Sequence, residues 1–143
     1  MAVRVRLALR NRETGVSLEA SALVNTGFEA ESPQLLLPVG AARELGLWPP
    51  PDNALRALYD TAGGPTSVWV CPRALSVRVV VEDVETPWVV ADAVISSVEH
   101  EILISDKLMG ALEIAIEDGA EGLWRFRSEA LGRLKELRTP QAW

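Results

Sequence analysis

The chain has 143 residues, of which 48% are hydrophobic and 24% are charged, and its formal net charge is -6 at pH 7. A chain of this length and composition is expected to fold as one soluble globular domain over residues 1–143, because it can bury a core without disulfides or metal ions. The acidic balance argues against nucleic-acid binding. We expect no membrane span, since no apolar run reaches roughly 20 residues, and a cytoplasmic protein, since the N-terminus lacks an export-signal pattern.

The first two predicted strands form an antiparallel hairpin. Apolar residues alternate with polar or small ones over 3–9 and 16–24, which is the period of a strand with one buried face. The hairpin leads into Asn25-Thr26-Gly27, a polar triplet between two apolar runs. Such a triplet is either an ordinary solvated turn or a rigid position at which a site is built.

Three short helices are predicted, near 39–45, 106–112 and 128–138. The first ends at Gly46, where glycine suits a left-handed C-cap. The second has Ser105 as its N-cap. The third carries leucines three residues apart on one face, which is typical of an amphipathic helix.

The remaining segments predict strands. Runs at 54–59 and 66–70 flank a glycine-rich turn at 60–65, which predicts a hairpin with a mobile tip. Further strands are predicted at 74–81, 87–95, 101–104, 113–117 and 123–126. Short strands at this spacing predict a mostly-β sandwich or barrel. An apolar strand, a polar turn and a short helix occur twice, around 24–45 and 95–112.

Cysteine and histidine each occur once, as Cys71 and His100. Cys71 lies in a β-like run and is predicted to be a small buried core residue. His100 stands between two glutamates and is predicted to be an exposed turn residue. Because one thiol and one imidazole make a poor zinc site, we expect no metal and no cofactor.

Three segments, taken in order, resemble motifs of the retropepsin-like aspartic peptidases, the single-lobe, homodimeric relatives of the pepsins. The first is Ala22-Leu23-Val24-Asn25-Thr26-Gly27, similar to the family's apolar-apolar-Asp-Thr/Ser-Gly loop. The second is the turn at 59–65, similar to its flap hairpin. The third is Ile102-Leu103-Ile104-Ser105 with Leu108-Met109, similar to its apolar-apolar-Gly motif and following helix. The resemblance extends to about Ile116 and implies a closed β-barrel or sandwich of the acid-protease type.

The resemblance also implies a site and partners. Asn25, Thr26 and Gly27 from two subunits would form the catalytic floor of a homodimer. The flap would close over an extended peptide or an unfolded protein segment. The substrate-binding residues implied in this way are Phe28, Glu29, Tyr59, Asp60, Thr61, Ala62, Gly63, Gly64 and Ser105.

Position 25 departs from the family, since it holds asparagine where the catalytic residue is aspartate. Two carboxylates sharing one proton can deprotonate a water and protonate the scissile carbonyl, whereas an amide is no general base at neutral pH. The chain as written is therefore predicted to be inactive. Asn25 is either an introduced replacement of aspartate or the natural residue of a degenerate peptidase. The alternative function is a non-catalytic peptide-binding module or a structural dimerisation module.

Two further positions depart from the family pattern. Phe28 stands where the family usually has a small residue, and Ser105 stands where it has a glycine.

Overall fold

The computed structural model describes residues 2–61, 63–82, 84–129, 135–136 and 139–143, without the side chain of Thr61. These residues form ten β-strands and two short α-helices. In chain order they are β1 Arg4–Asn11, β2 Ser17–Val24, β3 Gln34–Pro38, α1 Val39–Glu44, β4 Leu55–Thr61, β5 Gly64–Val79, β6 Val89–Ser96, β7 Ile102–Ile104, α2 Asp106–Ala111, β8 Ile114–Asp118, β9 Leu123–Phe126 and β10 Lys135–Glu136.

Six strands close into a barrel in the order β1-β2-β7-β3-β6-β5, and β5 pairs with β1 to complete the circle. Closure depends on the 16-residue length of β5, because its first half pairs with β4 and its second half with β1. Between the halves the register shifts from Cys71 to Leu75, and Arg73 takes a φ of +52°. Such a bulge bends a strand and increases its twist, which favours closure. The predicted mostly-β barrel is confirmed.

The barrel interior holds the main hydrophobic core. The alternating apolar residues of β1 that lie in it, all fully buried, are Val5, Leu7 and Leu9. β3 has no alternation because both of its faces are covered. Leu35 and Leu37 join the interior, whereas Leu36 belongs to a second apolar cluster on the outer face of the sheet. This outer cluster forms the floor of the candidate site described below.

The predicted helices at 39–45 and 106–112 are confirmed as α1 and α2, and Gly46 has the left-handed φ of +74° expected of a C-cap. The predicted helix at 128–138 is wrong where the chain is described. Residues 135–136 form β10, paired antiparallel with β9, while 130–134 and 137–138 lie outside the described residues. The amphipathic pattern of this segment carries no information about the open edge of β9. The backbone of β9 pairs there with β10, which becomes the third strand of the small sheet. No helix in the described part of the chain is long and apolar enough to cross a membrane.

The repeated strand–turn–helix pattern corresponds to an internal two-fold arrangement. β2 pairs in parallel with β7, β6 pairs in parallel with β3, and β3 and β7 pair antiparallel at the centre. Exchanging β2 with β6 and β3 with β7 therefore reproduces the same pairings. The loop after β2, at 25–33, and the loop after β6, at 97–101, occupy corresponding positions.

Residues 139–143 are docked on the barrel. The backbone N–H of Trp143 donates to the carbonyl oxygen of His100 (2.9 Å), and the Trp143 side chain lies against Gly40 in α1. Gln141 Oε1 accepts a hydrogen bond from the backbone N–H of Ser21 in β2 (2.9 Å). These contacts attach the 97–101 loop to the end of the described chain.

Candidate functional site

A cleft of about 530 Å³ opens on the outer face of the barrel, between the 25–33 loop and the β4–β5 hairpin. Its floor is apolar and comes from four different strands. The floor residues are Leu23, Leu36, Val68 and Leu103. These side chains project from the face opposite the barrel core, where Leu36, Val68 and Leu103 are buried and Leu23 is half-buried.

The Asn25 turn is held rigidly at one wall of the cleft. The backbone N–H of Asn25 donates to the carbonyl oxygen of Ile104 in β7 (3.1 Å). Asn25 Oδ1 accepts from the backbone N–H of Gly27 (3.1 Å), and the Asn25 carbonyl accepts from the N–H of Phe28 (3.0 Å). This is an Asx turn, in which an Asn or Asp side chain forms a hydrogen bond with the backbone two residues later in the chain. Aspartate can make the same hydrogen bonds. The only side-chain atom that they involve is Oδ1, which accepts, and the other groups belong to the backbone.

The next part of the loop is attached to the start of α2. The backbone N–H of Asp106 donates to the carbonyl oxygen of Phe28 (2.9 Å), and Asp106 Oδ1 accepts from the N–H of Ala30 (3.0 Å). Asp106 thus bonds the loop through both its backbone and its carboxylate. The ring of Phe28 is thereby positioned at the cleft.

Tyr59 of β4 forms the opposite wall. Its ring lies 6.1 Å from the ring of Phe28, centroid to centroid, and its hydroxyl donates to Gln34 Oε1 (2.8 Å). Burial raises the pKa of the Tyr59 phenol, as does the nearby Asp92 carboxylate, while the hydrogen bond to Gln34 opposes the shift. The hydroxyl is therefore neutral, and donates, at physiological pH.

Asp92 of β6 adds to the hydrogen bond between Tyr59 and Gln34, because its carboxylate also binds Gln34. Its Oδ2 accepts from Gln34 Nε2 (3.3 Å) and from Ser32 Oγ (2.7 Å). Its Oδ1 accepts from the backbone N–H of Arg73 at the bulge of β5 (2.8 Å). One carboxylate thus joins the loop after β2, the start of β3 and the bulge of β5. Sequence reasoning missed this network because its members are far apart in the chain.

The structure brings five of the sequence-predicted site residues to the cleft: Asn25, Gly27, Phe28, Tyr59 and Asp60. Thr26 and Glu29 are exposed and lie outside its lining. Gly63 and Gly64 belong to the hairpin tip, which is tighter than predicted because Thr61 already pairs with Gly64. Ala62 and the side chain of Thr61 lie outside the described residues.

Ser105 is not placed in the cleft. It is fully buried, and its Oγ accepts from the backbone N–H of Leu108 (3.1 Å) and of Gln34 (3.0 Å). The first bond is the predicted N-cap of α2, and the second ties that helix to β3. The role of Ser105 in the structure is thus to join two elements, rather than the substrate contact expected from the resemblance.

Sequence reasoning also missed several cleft residues. The four floor residues could have been found from the unbroken apolar runs, which indicate strands buried on both faces. Thr66, Ser96 and Glu99 complete the lining. Ser96 and Glu99 come from the end of β6 and the loop after it, and no local pattern indicates that this region faces Asn25.

The fold and the site define a mostly-β protein, a closed six-stranded barrel with an apolar cleft on its outer face. No protein-family model matches the chain, and no curated protein matches it significantly. Among the described residues, no group of three or more His, Cys, Asp or Glu side chains could hold a metal ion.

Proposed function

We propose that this chain is one subunit of a homodimeric, retropepsin-like aspartic endopeptidase, and that it is catalytically silent with Asn25 in place of aspartate. The observation that carries the proposal is the position of the Asn-Thr-Gly turn. It stands at the wall of an apolar cleft and faces a β-hairpin across that cleft. In this proposal the β4–β5 hairpin serves as the flap, and the cleft holds an extended peptide.

The cleft chemistry supports a peptide ligand. Its apolar floor can bury aliphatic side chains, while Asn25, Tyr59, Thr66 and Ser96 provide polar groups along the walls. The hairpin is the free end of the seven-stranded sheet, since β4 pairs with β5 alone among the described strands. An extended peptide can add to such an edge by backbone hydrogen bonds.

Catalysis would require two subunits. One chain supplies one copy of the turn, so two carboxylates can meet only on a two-fold axis of a dimer. Asparagine cannot share a proton with its counterpart as aspartate can, and two Asn25 amides leave the water without a base. The hydrogen bonds of the turn would survive replacement by aspartate, since they use only Oδ1 of the side chain.

Restoring the carboxylate tests the proposal. Asn25→Asp should cleave a denatured protein, with highest activity at acidic pH, and pepstatin should inhibit the cleavage. The matched control is Asn53→Asp, which adds the same charge at an exposed loop position outside the cleft. The control should remain inactive, as should the unaltered chain.

A solution mass measured on the same samples makes the result decisive. A dimeric Asn25→Asp protein with no pepstatin-sensitive cleavage at acidic or neutral pH would refute the peptidase proposal. A stable monomer at micromolar concentration would refute the dimer on which the site depends.

A second candidate function is peptide binding without cleavage. The observation that favours it is that the cleft and the turn are intact around an asparagine. In this case the unaltered chain should bind extended peptides, and Asn25→Asp should gain no activity.

A further inference from the structure

Two of the cleft's described lining residues are charged, and both are acidic. Asp60 comes from β4, directly after Tyr59, and Glu99 comes from the loop after β6. None of the cleft's described lining residues is basic. The charge that these described residues present to a ligand, above the apolar floor, is therefore negative.

Among the described residues these two carboxylates have no cationic partner, whereas some other acids of the chain do. Glu101, two residues after Glu99, makes a two-pronged ion pair with Arg4, at 3.0 and 3.2 Å. Glu19 likewise pairs with an arginine. In the described part of the chain, by contrast, neither the Asp60 nor the Glu99 carboxylate has an ion pair or a hydrogen bond. No described residue of the subunit therefore neutralises their charge by an ion pair.

The loop that carries Glu99 is fixed on both sides of this residue. Before it, the backbone N–H of Val98 donates to Ser96 Oγ (3.3 Å). After it, the carbonyl oxygen of His100 accepts from the backbone N–H of Trp143 (2.9 Å). Glu99 is thus presented to the cleft by an ordered loop, so a ligand does not have to order that loop when it binds.

We infer that the cleft selects peptide segments in which a basic side chain stands next to apolar ones, with Glu99 and Asp60 recognising the positive charge. Lysine and arginine suit the cleft because their aliphatic stems can lie on an apolar floor while the charged end reaches a carboxylate. The inference rests on the proposed function for the peptide nature of the ligand. The site is the cleft itself, and the two acids determine which charge it accepts.

Direct binding to the unaltered chain tests the inference without any catalysis. The probes are fluorescein-labelled hexapeptides of alanine, valine and leucine, in which one position at a time carries lysine, norleucine or glutamate. Norleucine keeps most of the aliphatic stem of lysine and removes the charge. At low salt, lysine at the best position should tighten binding about threefold to tenfold over norleucine, the range for one or two solvent-accessible ion pairs. Glutamate there should weaken binding, and added salt should reduce the difference.

Paired variants assign the preference to these two residues. Glu99→Gln and Asp60→Asn should each lower the ratio of lysine-peptide affinity to norleucine-peptide affinity. The matched controls, Glu44→Gln and Asp52→Asn, remove exposed acids outside the cleft and should leave the preference intact.

The outcomes separate this inference from the proposed function. Equal affinity for the lysine and norleucine peptides would overturn the inference but not peptide binding itself. A lysine preference that is unchanged in both Glu99→Gln and Asp60→Asn would have the same meaning. If no peptide of the set binds, both the inference and the peptide-binding role fail. Cleavage by Asn25→Asp with no charge preference would support the peptidase alone.

Discussion

Removing the hydroxyl of Ser105 should weaken the whole barrel. In Ser105→Ala, the backbone N–H groups of Leu108 and Gln34 both lose their acceptor. Ser105 is fully buried, so water has no ready access to replace the lost oxygen. The substitution removes only one atom, and the loss of packing is small.

The expected cost follows from the two bonds. Loss of an N-cap side chain costs about 1 kcal/mol. A buried N–H left without a partner costs about 1–3 kcal/mol. Together they should lower the free energy of unfolding by about 2–4 kcal/mol, a large part of the roughly 5–15 kcal/mol typical of a domain.

Urea unfolding followed by tryptophan fluorescence measures this change. The control is Ser97→Ala, since Ser97 is exposed and should tolerate the change within about 0.5 kcal/mol. A cost below about 1 kcal/mol for Ser105→Ala, similar to that of the control, would refute the double-acceptor role. Loss of peptide affinity with unchanged stability would instead make Ser105 a ligand contact.

Two further substitutions probe strain and burial. Gly122→Ala should destabilise the protein by about 2 kcal/mol or more, because residue 122 has a φ of +75° and its Cβ would lie 2.9 Å from the carbonyl oxygen of Ala2. Gly119→Ala has open space and should stay within about 0.5 kcal/mol in the same urea experiment, so equal costs would contradict the packing argument. Tyr59 is the single tyrosine, so an ultraviolet titration reports it alone, and its pKa should lie above the ordinary value of about 10. Because the unfolded chain ionises first, stability should fall as pH rises from the unfolded to the folded pKa, and Tyr59→Phe should flatten that fall.

Short-range patterns predicted most of the individual elements. Period-two alternation indicated the β1–β2 hairpin, and α1 and α2 were found from their capping residues. These signals succeed because a strand's buried face and a helix end depend on neighbouring residues. The helix predicted at 128–138 shows the limit of this reasoning. Leucines three residues apart satisfy a helical period, yet the described residues 135–136 pair with β9, a choice that depends on a partner strand elsewhere in the chain.

The cleft depended more on tertiary structure. The Asn25 turn and the hairpin could be proposed from sequence, because polar turns between apolar runs are local signals. Ser105 shows how far a motif can mislead, since its position in the motif suggested a ligand contact and its burial makes it a structural acceptor. Glu99 shows the opposite case, because it carries no local signal and reaches the cleft through the pairing of β6 with β3 and β5.

By itself, the sequence determined that this protein is rich in β-strands, where its apolar runs lie, and that position 25 lacks a carboxylate. These are properties of composition, period and residue identity. Only the tertiary structure decided that β5 closes a barrel and that Asp92 joins three elements. It also decided that Asp60 and Glu99, which have no ion pair among the described residues, share a cleft with Asn25. The physical reason is that these features are contacts between residues distant in sequence. Their energies depend on which backbone edges and side chains meet once the chain has folded.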